Sequence, residues 1–383
     1  MILSNVNNTP LRPFEPMVLD CLGEISAAIL KSPVGRQFPD LTAFAFYIRR
    51  ANLQKLEASL ALGEIRLGRG LCFHVAPANI PINFAFTWVF SLLAGNANVV
   101  RLPSKDFPQV DALLYVINAA LDKYPELKER NAFVKYPRTD NETTAAYCQM
   151  ADCRMIWGGD RTIAAIKALP TRPRCVDICF ADRYSVAMIN ADAVMSADET
   201  QLARLVDGFY NDTYLMDQNA CSSPQVILWE HDSPEAREKF WDAVETLARK
   251  KYVLQDAVAV DKYTLFCEEA VGNENILSVS RKGNLLYRVE LKSLPPDVVS
   301  HRGKAGFFFE YALKSRDELF NFVTEKFQTV TQFGIDATEL ARQIASAHLR
   351  GIDRIVPVGQ AMDIGILWDG FDLIRMLSRI ISA

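Results

Sequence analysis

Two periodicities divide the chain. Up to about residue 68, apolar residues recur three and four positions apart, as in "EPMVLDCLGEISAAILKS" and "LTAFAFYIRRANLQKLEASLAL". That spacing lines one face of a helix and predicts a helical N-terminal region. Past Gly68, short apolar runs alternate with longer helix-like segments. The runs are "LCFHVA" (71–76), "ANVVRL" (97–102), "AFVKY" (132–136), "CRMIW" (153–157) and "VDICF" (176–180). Short runs bounded by helical stretches predict βαβ units and a parallel sheet covered on both faces. The expected class is α/β, with the five runs forming a Rossmann-type, dinucleotide-binding sheet.

Further on, "YSVAMIN" leads into "SADETQLARLVDGFYND". Ser196 followed by Glu199 is a capping-box signature, which predicts a helix starting near Ala197. A second α/β pattern runs from Pro224 to about Gly370. There Ser233 is the expected N-cap and Pro234 the first helical residue of "DSPEAREKFWDAVETLARKK". The pattern divides the chain at 218/219. Residues 1–218 hold the N-terminal helices and the cofactor sheet; residues 219–383 form a second α/β domain. The most apolar run, Ile80 to Gly95, is too short for a typical membrane span and is interrupted by Asn83, so it reads as a buried helix.

A length of 383 residues, half of them apolar and 23% charged, fits a soluble globular protein of two domains. A net charge of −4 gives no basis for nucleic acid or an anionic membrane as partner. The opening "MILSNVNNTPLRPF" lacks a basic region followed by an apolar core, so no secretory signal is expected. The eight cysteines are scattered without a CxxC pair, and there are four histidines. That argues against a zinc site and against a disulfide scaffold, and points to reduced thiols in the cytoplasm.

Four stretches carry candidate chemistry. In "HVAPANIPINF", Asn79 follows a strand and precedes a helix. It can donate to an oxyanion or simply cap the helix. In "GNANVVRLPSKDFP" the second strand ends with Arg101, Ser104 and Lys105 rather than with an acid. Two cations and a hydroxyl suit a ribose 2′-phosphate, or form a solvated basic patch. In "CRMIWGGDRTIAAIKAL", Gly158 and Gly159 let a backbone approach a phosphate, or make a tight turn. In "DQNACSSPQVILW", Cys221 stands among Asn219, Ser222 and Ser223. It is a nucleophile if its thiolate is stabilised there, and a small buried hydrophobe otherwise. His74 is the histidine considered as its base.

Taken together, in this order and spacing, the stretches resemble the aldehyde dehydrogenase superfamily. More closely they resemble its LuxC-type acyl-CoA reductase branch, known from bacterial luciferase fatty-acid reductase complexes. The resemblance runs from about Gly70 to the C-terminus. "APANIP" is similar to the superfamily's proline–asparagine–proline segment, and "AGNANVVRLPS" to its glycine–asparagine stretch and cofactor-ribose segment. "WGGDRTI" resembles the glycine loop at the nicotinamide, "DQNACSSPQ" the segment of the nucleophilic cysteine. "RIVPVGQAMDIGILWDGFDLI" resembles the end of the reductase branch, marked by Trp368-Asp369-Gly370.

The resemblance implies an aldehyde dehydrogenase-like fold, with a Rossmann-type cofactor domain and an α/β catalytic domain. It implies NADPH-dependent reduction of an acyl-CoA or other acyl thioester to the aldehyde. Cys221 would carry the acyl group and Asn79 would hold the oxyanion. Arg101, Ser104, Lys105, Gly158 and Gly159 would bind the cofactor, without a metal. An acyl-protein synthetase and a second copy of the chain are the protein partners it brings to mind. Hydrolytic relatives carry a water-activating glutamate in a glutamate–leucine–glycine–glycine stretch. The corresponding region here is "DICFADRYS", with Cys179 near the glutamate position, so the thioester is expected to be reduced or transferred rather than hydrolysed. Lys105 stands where the family often has an acid, which favours NADPH. The N-terminal region is shorter than in the luminescence enzymes, so neither luminescence nor a long fatty-acyl substrate is carried over. Two other readings stay open: Cys-dependent acyl transfer without reduction, and a non-catalytic scaffold for an acyl-activating partner.

Overall fold

The computed structural model describes residues 6–77 and 80–382. It separates into two compact units, Met1–Ala181 with Gly365–Ala383, and Asp182–Ile364.

The first unit opens with helices that match the predicted periodicity. In Pro16–Lys31 the buried residues include Val18, Leu22, Ile25 and Ile29, three and four apart. A parallel sheet follows, made of β1 (Leu71–Val75), β2 (Ala97–Arg101), β3 (Asn131–Val134), β4 (Cys153–Trp157) and β5 (Val176–Phe180). Its order is β3-β2-β1-β4-β5, and every pair is parallel. The chain starts in the middle, runs outward to β3, then returns to add β4 and β5. The switch point therefore lies between β1 and β4, where loops diverge and open sheets bind ligands. Helix Asn83–Leu93 is buried on nearly every side, as its composition predicts.

The "GNAN" stretch has a structural role of its own. Asn96 Oδ1 accepts from the amides of Arg69 (2.6 Å) and Gly70 (3.2 Å), and its Nδ2 donates to Leu377 O (2.9 Å). Asn98 Oδ1 lies 3.0 Å from His74 Nε2, and Asn98 Nδ2 donates to Asn131 Oδ1 at 2.9 Å. Asn96, Asn98 and His74 are fully buried, and these bonds meet most of their polar groups.

The last residues rejoin the first unit. A hairpin pairs Leu367–Trp368 with Phe371–Asp372 across an Asp369-Gly370 turn. Ser378–Ile380 then pairs antiparallel with Arg66–Gly68. The division read from sequence falls at 218/219. The compact units divide at 181/182, because β6 (Tyr184–Asn190) hydrogen-bonds into the second sheet.

That second sheet also contains β7 (Pro224–Glu230), β8 (Ile276–Lys282), β9 (Leu286–Leu291), β10 (Phe307–Ala312), β11 (Phe327–Phe333) and β12 (Arg354–Pro357). Its order is β12-β11-β6-β7-β10-β9-β8, parallel except for the β8–β9 pair. Apolar clusters cover both faces, and β7 is buried at every position, which explains its unbroken apolar run. A carboxylate lies inside: Glu310 accepts from the indoles of Trp229 and Trp241 (2.8 Å each) and from Arg288 Nε (2.7 Å).

One predicted boundary is corrected. Ser196 ends a short helix, Ala191–Ser196, and its hydroxyl donates to Ala193 O. The next helix is Glu199–Asp212, capped by Asp198 in a reciprocal box with Gln201. "SADETQ" holds two overlapping capping patterns, and the preceding helix uses up the first. Ser233 and Pro234 start helix Pro234–Lys251 as predicted.

Candidate active site

Cys221 lies in the link between helix Glu199–Asp212 and β7, at the amino end of that strand. After one 3₁₀ turn, Tyr214–Met216, Asp217 and Gln218 take left-handed φ values of 51° and 57°. Such values are rare for side-chain-bearing residues, and surrounding bonds hold them here. Gln218 N donates to Thr213 O (2.9 Å), Asn219 N to Met216 O (2.9 Å) and Ser223 N to Ala220 O (3.0 Å). The Cys221 carbonyl accepts from Ser185 Oγ of β6 at 2.7 Å, and that same oxygen accepts from Thr329 N of β11 at 3.3 Å. A single buried hydroxyl thus ties the cysteine peptide to two strands. The Cys221 side chain is half-buried.

Two buried glutamines stitch this turn to loop 303–306. Gln218 accepts from Gly306 N (2.8 Å) and donates to Phe307 O (3.1 Å). Gln225 accepts from Gly303 N (2.9 Å) and donates to Gln218 O (3.1 Å). From below, fully buried Lys262 donates to Ala305 O at 2.8 Å, and burial pushes its ammonium down to about 8. On the other side stands Asp212. Burial pushes its carboxyl up to about 7, against the pull of the Gly359 and Ala361 amides. None of Ser185, Gln218, Gln225, Lys262 or Asp212 stood out in sequence. The signal for the two glutamines was present, since they bracket "DQNACSSPQ".

The cofactor candidates gather at the carboxyl edge of the first sheet. Arg101 ends β2, with its guanidinium 4.5 Å from the centre of the Tyr136 ring. Exposed Ser104 and Lys105 follow in the same loop, and Lys105 Nζ lies 5.2 Å from the centre of the Phe107 ring. Lys135, at the end of β3, pairs with Asp106. Gly158 and Gly159 lead from β4 into helix Asp160–Lys167, and Gly158 N donates to Phe180 O at 3.2 Å. A Cβ on Gly158 would meet Thr162 at 3.2 Å, while one on Gly159 would meet nothing within 4 Å. The backbone at Gly159 is therefore open to a close ligand. Arg138 Nη2, from the loop after β3, donates to Thr162 Oγ1 at 3.0 Å. Sequence reasoning missed Lys135, inside the predicted run 132–136, and Arg138, two residues past it. Asn79 lies outside the described residues.

Around β5 the polar groups are engaged. Asp177 makes a bidentate pair with Arg154, 2.7 Å on each arm, and Asp182 pairs with Arg302 at 3.0 Å. Burial raises the Cys179 thiol. Phe180 stacks on Trp157 with ring centres 3.9 Å apart. His74, considered as a base, is fully buried within the first sheet beside Asn98. Among the described residues, no group of three or more His, Cys, Asp or Glu side chains could hold a metal ion. Nor is any helix there long and apolar enough to cross a membrane.

The family acyl-CoA reductase (LuxC) matches residues 50–282, well over half of the chain. The protein belongs to the LuxC acyl-CoA reductase family. No protein with a curated description matches its sequence. Its fold is that of aldehyde dehydrogenases. Aldehyde dehydrogenase 21 from Physcomitrella patens superposes with a TM-score of 0.66 at 13% identity, over 95% of this chain and 85% of that one. A 1-pyrroline-5-carboxylate dehydrogenase from Thermus thermophilus gives 0.67 at 11%, over 95% and 80%. Proline utilization A from Bradyrhizobium japonicum gives 0.64 at 14%, over 96% of this chain and 43% of that one. At such identities the likeness concerns the fold. Family membership makes this LuxC-family protein an enzyme of the acyl-CoA reductase type.

Proposed function

We propose that this LuxC-family enzyme reduces an acyl-CoA, or an equivalent acyl thioester, to the aldehyde through a thioester on Cys221, with NADPH as reductant. The observation that carries the reading is the Cys221 turn. A half-buried thiol sits on a strained turn, with its carbonyl held by Ser185 and the turn before it held by Gln218 and Gln225. A purely structural cysteine does not call for such support.

The Cys221 thiolate adds to the thioester carbonyl, and the CoA thiolate leaves. The oxyanion of each addition step is assigned to the Asn79 amide and the Cys221 backbone N–H. Such a donor is typically worth about 10²–10³ in rate. NADPH, when bound, supplies the hydride. The resulting hemithioacetal on Cys221 collapses, releasing the aldehyde and restoring the thiolate. Gly158 and Gly159 give the cofactor a close backbone approach. Arg101, Ser104 and Lys105 take its 2′-phosphate. Two features support reduction over hydrolysis: the resemblance puts Cys179 near the position of the hydrolytic relatives' glutamate, and Asp177 and Asp182 are held by arginines. The acyl group reaches Cys221 from CoA or from a partner such as an acyl-protein synthetase.

The test is cofactor oxidation with acyl-CoA thioesters of increasing chain length, comparing NADPH with NADH, in wild type, Cys221→Ala and Lys105→Glu. Oxidation that needs both the thioester and Cys221, and a preference for NADPH that Lys105→Glu abolishes, is the expected result. Cys221-dependent release of CoA without oxidation would make the enzyme an acyltransferase. Equal effects of Lys105→Glu on both cofactors would remove the 2′-phosphate assignment.

A further inference from the structure

The loop that follows β12 is staked down from two sides. Asp212, at the end of helix Glu199–Asp212 and 1% exposed, accepts from Gly359 N (2.6 Å) and Ala361 N (2.9 Å), one bond to each carboxylate oxygen. Arg354 of β12 donates to the carbonyls of Gln360, Ala361 and Asp363 at 2.7 Å each. The backbones themselves meet. A Cβ on Gly208 would lie 2.9 Å from Val358 O, and one on Gly359, at φ +101°, would lie 2.9 Å from Gly208 Cα. The far end of the loop reaches the residue beside the candidate nucleophile, for the hydroxyl of Ser222, next to Cys221, donates to Met362 Sδ at 3.6 Å.

We propose that Asp212 and Arg354 are positioning residues that hold loop 358–363 so that Met362 braces the Cys221–Ser222 peptide. The clamp has the chemistry to do this. Two amides are matched by two acceptor oxygens, and three carbonyls by one guanidinium fork, so both polarities of the loop backbone are fixed. No helix or strand runs through the loop; its own bonds are two short turns, Gln360 N to Pro357 O and Asp363 N to Gln360 O, and one from Val358 N to Gln332 O. A cysteine that must attack, hold and release an acyl group needs its peptide kept within a fraction of an ångström. Misplacement by about 1 Å costs about a hundred-fold in rate.

The role in turnover rests on the acyl-thioester reading; the effect on the thiol does not. The test therefore uses two readouts on the full chain, the rate of aldehyde formation and the rate of Cys221 alkylation by iodoacetamide, which needs neither acyl-CoA nor NADPH. Asp212→Asn keeps the size but sets an NH₂ against one of the two amides. Met362→Ala removes the brace without touching the clamp. Both variants should lower turnover about ten- to a hundred-fold and leave NADPH affinity unchanged. Both should also speed Cys221 alkylation several-fold, because a loosened turn opens the thiol. General destabilisation would speed alkylation of the other cysteines as well, so the expected gain is confined to Cys221 while Cys148 and Cys153 keep their wild-type rates. Wild-type alkylation kinetics in Met362→Ala would overturn the proposal, whether or not Asp212→Asn folds. If the wild type itself forms no aldehyde, the alkylation arm still decides the clamp, and only the functional reading fails.

Discussion

At the scale of single residues, the candidate site depends on polar side chains with little signature in sequence. Ser185 is one apolar-strand serine among several, yet its hydroxyl serves both the Cys221 carbonyl and the Thr329 amide. Ser185→Ala removes both of these buried hydrogen bonds, which costs about 1–3 kcal/mol. It should also lower turnover about ten-fold through the displaced cysteine peptide. Denaturant unfolding and steady-state kinetics would check the pair of effects; a stability loss at full turnover would make Ser185 a folding residue only. Cys221 itself was legible, because a cysteine amid small polar residues, just before an unbroken apolar run, is unusual. Its supports were not, because a hydrogen bond between residues 36 positions apart leaves no local pattern.

At the scale of elements, periodicity located the strands well. All five predicted runs of the first sheet overlap the observed β1–β5, and the apolar helix after β1 is buried as expected. The start of helix Glu199–Asp212 was misplaced because capping patterns are short and overlap. Asp198→Ala should destabilise the protein by about 1 kcal/mol, whereas Ser196→Ala should stay within about 0.5 kcal/mol. Equal losses in thermal denaturation would restore Ser196 as the cap. The basic character of the β2 loop was visible as Arg101 and Lys105. Its continuation across β3 as Lys135 and Arg138 emerges only once the two strands lie side by side.

At the scale of the whole chain, the last residues are a fastening of the first unit. Asn96 donates to Leu377 O, Arg66 Nε donates to Ser378 Oγ at 2.8 Å, and Leu373, Ile374 and Leu377 are fully buried. Removing residues 365–383 takes those three side chains out of the core and exposes the apolar surface they cover, at a cost on the order of 5 kcal/mol. Amide exchange should then rise in Arg66–Gly68 and β1 while β6 and β7 stay protected. A uniform rise across both sheets would mean that the two units unfold as one.

The sequence by itself determined the α/β class, the strands of the first sheet, the candidate thiol and the family. Each of these is written locally, in a period of two or 3.6, in turn residues, or in short motifs at set spacing. Only the tertiary structure decided where the units divide, that the C-terminus returns to the first, which residues brace Cys221 and how loop 358–363 is clamped. Those features rest on single hydrogen bonds and close backbone contacts between distant segments, such as Asp212 with Gly359 or Asn96 with Leu377. A lone Asp, Asn or Gly has the same local appearance wherever it stands, and its partner is set by how the sheets bring the chain together.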